Sequence, residues 1–481
     1  MVSTARLRTC GLGYLGGAAL LVCAVLFSLS RVHRLQDADT LLPVFISLDR
    51  WTPFYWEQDR FGTLLPLLVM PVRDYRWNAV SQTFLNVSGA LIALVVIAAW
   101  TLDRDGRVRQ ESLAIAAFSA ALIGVCLHVE EGIGGYLLLP GSPYFSSLGL
   151  LFPGLHLLRV SRGAGMAAMG FLLLLLSMWV NISNGVVGVF LALLIPRRTL
   201  VDRGVVLIGV AGAAAGSWIA ARYLTGFQNY DATIPTYVAW AVFRDMLENT
   251  AGQMVYPERI FVLAAAGLAG MVMLWRWGCG FTALRVIALG AIAVSFAAVF
   301  SKLAWVYAQG AQARYWATPA FLLFSGFALA AAGAFYGLLT RMQVSQFNAG
   351  AACSGLAIAV FAAGLGVRLP AAGLQELNRA ASISQEVDEQ IRRSRCTILA
   401  GDYWRVWPAL FLRRAAGDRT IMPVAYRMTP MLDQVKALPN DGRVYCGWCG
   451  DPEVARVAST YGVARLRQGE AHGRLCFYKS E

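Results

Sequence analysis

The chain has 481 residues, of which 57% are hydrophobic and 14% charged, and its formal net charge is +13. A mean hydropathy of +0.56, with far fewer charges than the roughly one quarter usual in soluble domains, excludes an ordinary soluble protein. The basic residues punctuate apolar runs and form no stripe, so they read as topology signals and exclude a nucleic-acid partner.

Apolar runs fall at 12–30, 84–100, 112–128, 144–158, 164–181, 184–196, 204–221, 258–275, 284–301, 317–339 and 349–367. A helix of about 20 residues crosses a bilayer core, so these runs predict about eleven transmembrane helices in a mostly α, polytopic membrane protein. The first run is retained as a span: its small residues come early and no A-x-A-like cleavage site closes it. Arg6 and Arg8 put the N-terminus inside. The cytoplasmic turns that follow carry Arg104, Arg107 and Arg109; Arg159 and Arg162; Arg197, Arg198 and Arg203; Arg276 and Arg285; and Arg341. As one helix, the stretch 164–196 would be roughly 50 Å long, too much for a core of about 30 Å, so a hairpin is expected from Asn181 to Gly185.

Everything elaborate then falls on the other face. The first outer loop, 31–83, holds Asp37, Asp39, Asp49, Glu57 and Asp59 among Arg50, Arg60, Arg73 and several aromatic rings. It is too long and too rich in such groups for a connector. Asp37 and Asp39 follow the first span at about headgroup level, and the apolar segment Thr40–Leu48 is expected to lie along the interface as an amphipathic helix. A carboxylate placed there can take a proton from a hydroxyl beside a lipid-linked substrate. Asp39 also reads as the N-cap of that helix, which makes Asp37 the preferred base.

The second outer loop, 128–144, opens with His128, Glu130 and Glu131, an imidazole and an acid pair suited to a divalent cation (Mg or Mn) or to an acceptor. Lys302 and Arg314 flank the outer ends of the ninth and tenth spans, where a cation can pair with a phosphate. Arg60 and Arg222 are weaker candidates of the same kind. Trp51, Tyr55, Trp56, Trp305, Tyr307 and Trp316 suit an interfacial belt better than sugar stacking.

Hydropathy drops in the tail, 368–481, and regular elements return. Strands are expected at 396–400, 420–426, 443–446 and 475–479, with helices at 403–416, 430–438 and after Asp451-Pro452. This alternation predicts a small α/β domain outside the cytoplasm, beside the transmembrane module of 1–367. Of the nine cysteines, Cys396, Cys446, Cys449 and Cys476 lie in it, in a compartment that permits disulfides. Cys446 and Cys449 have the redox C-x-x-C spacing, but no thioredoxin-like βαβ unit precedes them. A structural bridge between those two is therefore favoured, with a second joining Cys396 to Cys476.

An acid pair in the first outer loop, further acids in the second, a late basic outer residue and an exported C-terminal domain resemble the GT-C glycosyltransferases. In sequence the resemblance rests on Gln36-Asp37-Ala38-Asp39, on Asp59-Arg60-Phe61-Gly62 and on Arg314-Tyr315 with Pro319. It implies inverting transfer of a sugar from a polyprenyl-phosphate carrier to an extracytoplasmic glycan, lipid or protein. Asp37 or Asp39 would be the general base, and Arg314, Lys302 or Arg60 would receive the phosphate. The acids here are separated by Ala38 where many members have them adjacent, so the base is either Asp37 or Asp39. The implied location is a bacterial inner membrane with the tail in the periplasm. The alternatives are a transporter or flippase, and a ligase or polymerase of lipid-linked glycans.

Overall fold

The computed structural model describes residues 14–25, 28, 38–53, 62–102, 108–126, 144–161, 163–181, 183–194, 200–225, 233–252, 257–308, 310–311, 315 and 317–364 of the apolar region. In the tail it describes 389–391, 396–425, 432–437, 443–460, 462 and 465–480. The first helices are α1 (Tyr14–Val25), α2 (Ala38–Leu48), α3 (Leu64–Val69), α4 (Tyr75–Leu102) and α5 (Gln110–Cys126). They continue as α6 (Tyr144–Val160), α7 (Ala164–Val180), α8 (Asn184–Leu194), α9 (Leu200–Thr225) and α10 (Thr236–Gly252). The apolar region closes with α11 (Pro257–Arg276), α12 (Gly280–Phe300), α13 (Ala304–Ala308), α14 (Ala317–Arg341) and α15 (Gln346–Gly364).

Every apolar run read from the sequence therefore falls on a helix. Among the described residues, four helices are long and apolar enough to cross a membrane: Tyr75–Leu102, Glu258–Arg276, Thr282–Phe300 and Ala317–Arg341. Several other apolar helices are shorter. Neighbours cross closely where side chains are small. A Cβ on Gly149 would stand 2.4 Å from the Gly89 Cα, so α4 and α6 meet backbone to backbone.

The breaks between helices have local causes. After α7, Asn181 turns the chain, its Oδ1 accepting from the Ser183 backbone N–H at 3.2 Å and the Ser183 hydroxyl at 2.7 Å. This is the hairpin expected there, and Asn184 closes it by donating to the Ser177 hydroxyl at 2.9 Å.

Contacts between residues distant in the chain tie the helices together. At one end, Arg285 donates to the Trp100 carbonyl at 2.7 Å, and Arg341 lies over the Trp277 ring at 4.8 Å. At the other end, the Trp179 indole donates to the Pro53 carbonyl at 3.2 Å, and Asn86 accepts from the Ser146 N–H at 2.8 Å.

The tail adds β1 (Ile398–Gly401), α16 (Tyr403–Ala415), β2 (Met422–Ala425), α17 (Leu432–Ala437), β3 (Tyr445–Trp448), α18 (Glu453–Thr460), β4 (Leu466–His472) and β5 (Leu475–Ser480). The five strands are ordered β2-β1-β3-β5-β4. β1 is parallel to β2 and β3, while β5 is antiparallel to β3 and β4. Each expected strand and helix is present. β4 was not expected, because LRQGEAH shows no apolar alternation; it is an edge strand, paired only with β5.

The strands divide their side chains between two layers, as a period of two requires. Ile398, Ala400, Val424, Tyr445, Cys476 and Tyr478 face α18 with Val454 and Val457. Leu399, Ala425, Cys446, Trp448 and Leu475 face α16, and beyond it α2.

The disulfides differ from expectation. All four tail cysteines are bridged, but as Cys396–Cys446 and Cys449–Cys476. Cys446 lies inside β3 and Cys449 just past it, so three residues of extended chain separate them by about 10 Å, beyond the roughly 7 Å that a bridge can span. The pairs that form have Cα atoms 5.9 Å and 4.9 Å apart. Neither cysteine of the C-x-x-C is free for redox work.

Candidate functional site

The site is built on α2. Its sequence, ADTLLPVFISL, is apolar apart from Asp39, Thr40 and Ser47, and every residue from Thr40 to Leu48 is buried. A helix covered on all faces by protein does not rest on a bilayer surface. The expectation of an amphipathic helix resting on the interface is therefore corrected: α2 is a core helix held between the bundle and the tail domain. Phe45 is its centre, with ring centroids 4.9 Å from Trp407, 5.8 Å from Tyr75 and 6.1 Å from Phe411. Tyr75 begins α4, and the other two rings belong to α16.

A charge pair seals the same junction. Asp49, one residue past α2, accepts from the Tyr75 hydroxyl at 2.5 Å and faces Arg414 Nε of α16 at 3.8 Å. The side chains of Arg414 and Asp49 are 2% and 5% exposed. Arg414 also donates to the Ile421 carbonyl at 3.4 Å, which ties the pair to the sheet. The adjacent Arg413 pairs with Asp418. Burial opposes ionisation of Asp418, but hydrogen bonds from the Thr420 hydroxyl and N–H, with the Arg413 charge, outweigh it and hold the carboxyl below its ordinary range. Burial pushes the phenols of Tyr445 and Tyr478 upward.

Beneath α2 runs a polar stripe on α4. Asn78 Nδ2 reaches the Ser47 hydroxyl at 2.9 Å and the carbonyls of Val69 and Val72 at 3.1 and 3.0 Å. Gln82 donates to Asn78 Oδ1 at 2.9 Å. α2, α3 and α4 are thereby fastened together, and Trp51 adds a bond from its indole to the Thr63 carbonyl at 3.1 Å.

Asp39 lies in the first turn of α2, which begins at Ala38, and so is inside the helix and not ahead of it. Asp37, Arg60, His128, Glu130, Glu131 and Arg314 lie outside the described residues. Tyr315, next to Arg314, is buried with its ring 6.4 Å from Phe300. Lys302 stands just past α12, its ammonium donating to the Thr236 hydroxyl at 3.0 Å and its carbonyl accepting from the Ile234 N–H at 2.9 Å. Among the described residues, no three His, Cys, Asp or Glu side chains converge as a metal set.

Asp49 was expected only as one acid of the first outer loop, and Tyr75, Asn78, Gln82 and Arg414 were not expected as parts of the site. A signal existed for two of them: Asn78, Gln82 and Asn86 recur every four residues and so share one helix face. The chain matches no protein-family model, and no curated protein is similar to it in sequence.

Proposed function

We propose that this chain is a membrane glycosyltransferase of the GT-C kind, moving a sugar from a polyprenyl-phosphate carrier to an acceptor outside the cytoplasm. One observation carries the reading. Asp39 sits in the first turn of a helix that is buried from Thr40 to Leu48 and clamped by the tail domain. A general base needs such a locked support, because transfer falls steeply when the catalytic group is misplaced by about 1 Å. Asp37 or Asp39 takes the proton of the acceptor hydroxyl, whose oxygen attacks the anomeric carbon. The carrier phosphate leaves with the bonding electrons toward Arg314, Lys302 or Arg60. About eleven spans, with the N-terminus inside and the tail in the periplasm of a bacterial inner membrane, complete the reading.

A transporter would hold ionisable groups at mid-membrane. In the four membrane-length helices the charged residues stand near the ends: Arg76, Glu258, Arg259, Arg276, Arg285 and Arg341. This favours an enzyme. The test is transfer by membranes containing the expressed chain, supplied with a panel of radiolabelled polyprenyl-phosphate sugars. Label reaching a carrier-free product supports the reading, and label that crosses the membrane still on its carrier overturns it.

A further inference from the structure

The outer groupings include one helix that the proposed chemistry does not use. α10 packs one face on the bundle: Ala239, Val242 and Met246 are at most 4% exposed. The opposite face is open, with Tyr237 79% exposed, Trp240 69% and Leu247 41%. These recur at three- and seven-residue steps and form one stripe, into which Arg244 also falls, seven residues from Tyr237 and four from Trp240. Trp240 stacks on Phe243 with centroids 5.5 Å apart, which fixes its ring.

Both ends of the helix are pinned to the chain that follows α12. Thr233 bridges to Leu303, and Lys302 holds Thr236. Asn249 donates to the carbonyls of Gly310 and Ala311 at 3.2 and 3.0 Å. α10 is therefore held at one end of α12 and does not run beside it.

Two observations say what covers this face. The next helix, α11, exposes Phe261, Val262, Leu268, Val272 and Trp275 along one side, as a lipid-facing span does. α10 is pinned just past the end of the membrane-length helix α12, at the depth of a bilayer surface, and its exposed rings are Tyr and Trp, the residues that settle at the headgroup level. Its charges do not call for a charged partner, since Arg244 lies 3.5 Å from Glu248 and 3.4 Å from Asp245.

We infer that α10 is seated on the bilayer surface, with Tyr237, Trp240 and Leu247 in the boundary between headgroups and acyl chains. The seating rests on the rings and Leu247, and Arg244 on that face is countered by Asp245 and Glu248, so it does not depend on anionic lipid. It rests on the membrane-spanning part of the proposed function and not on glycosyl transfer.

The test places a nitroxide at Trp240→Cys, Glu248→Cys or Val272→Cys, each in the full chain with Cys279→Ser, the exposed free thiol among the described residues, and with Cys10→Ser and Cys126→Ala. Collision rates with oxygen and with a water-soluble nickel chelate are read in phosphatidylcholine vesicles, alone and with phosphatidylglycerol. At residue 240 oxygen should exceed the chelate several-fold. Its depth should be shallower than at residue 272 and unchanged by the anionic lipid, and residue 248 should favour the chelate more than residue 240. A label at 240 that meets the chelate as freely as one on Arg467 of the tail would overturn the inference, as would one reached by neither agent. A label at 272 that oxygen does not favour would remove the membrane reading itself, and this inference with it.

Discussion

The pair between Asp49 and Arg414 offers the sharpest test of how the tail is held. Asp49→Asn keeps an acceptor for the Tyr75 hydroxyl but leaves the Arg414 guanidinium buried without its counterion. With the charges 3.8 Å apart, the lost attraction at an effective dielectric of about 20 is about 4 kcal/mol. That agrees with the roughly 3–5 kcal/mol found when one partner of a buried pair is removed. The tail should then open about three decades more often, since each 1.4 kcal/mol is a factor of about ten. Amide exchange in β1 and β3, followed in nanodiscs, measures this opening directly. The double variant Asp49→Leu with Arg414→Met should recover part of the loss, because an apolar pair of similar volume carries no desolvation penalty, while the Tyr75 hydroxyl left without its acceptor keeps about 1–3 kcal/mol of it. If Asp49→Asn exchanges at the wild-type rate, or the double variant opens more than either single one, the pair does not hold the junction.

Three further outcomes are expected. Removing Cys449–Cys476, which closes a separation of 27 residues, should destabilise the tail by about 3.5 kcal/mol, and removing Cys396–Cys446 by about 4 kcal/mol; non-reducing peptide mapping should recover these two pairs and no Cys446–Cys449 peptide. The Asp418 carboxyl is held below its ordinary value, so its contribution is complete above pH of about 4 and disappears as pH falls through the lowered folded value. Thermal melts should accordingly show Asp418→Asn least different from wild type at the most acid pH, and an unchanged difference across the acid range would count against it. Gly149→Ala places a methyl group against the Gly89 backbone and should cost roughly 1–3 kcal/mol, read as lower yield of folded protein in detergent.

The helices were legible because apolar length is a strong signal: each apolar run became a helix, and the Asn181 turn fell where the length argument required it. The tail was legible from its alternation of β-branched runs and caps, Asp451 among them, which accepts from the Glu453 N–H at 2.9 Å. What failed was partnership. TLLPVFISL reads the same whether a bilayer or a protein domain covers it, and only the distant residues Trp407 and Phe411 decide between the two. The disulfide pairing failed for a similar reason. Spacing along the chain favours the near pair Cys446 and Cys449, whereas the strand pairing brings Cys476 and Cys396 alongside β3. Asp49 was visible as one loop acid among several, and nothing local distinguished it. Its partner lies in another domain.

The central claim is that a carboxylate at the start of α2 activates the acceptor, and one measurement tests it most directly. Purified wild type, Asp37→Asn and Asp39→Asn, each shown to retain the folded tail, are compared for single-turnover transfer of labelled sugar from a polyprenyl-phosphate donor. The account predicts that one of the two amides slows transfer by about two to four decades while donor binding persists, as loss of a general base requires. Transfer at the wild-type rate in both variants would contradict it.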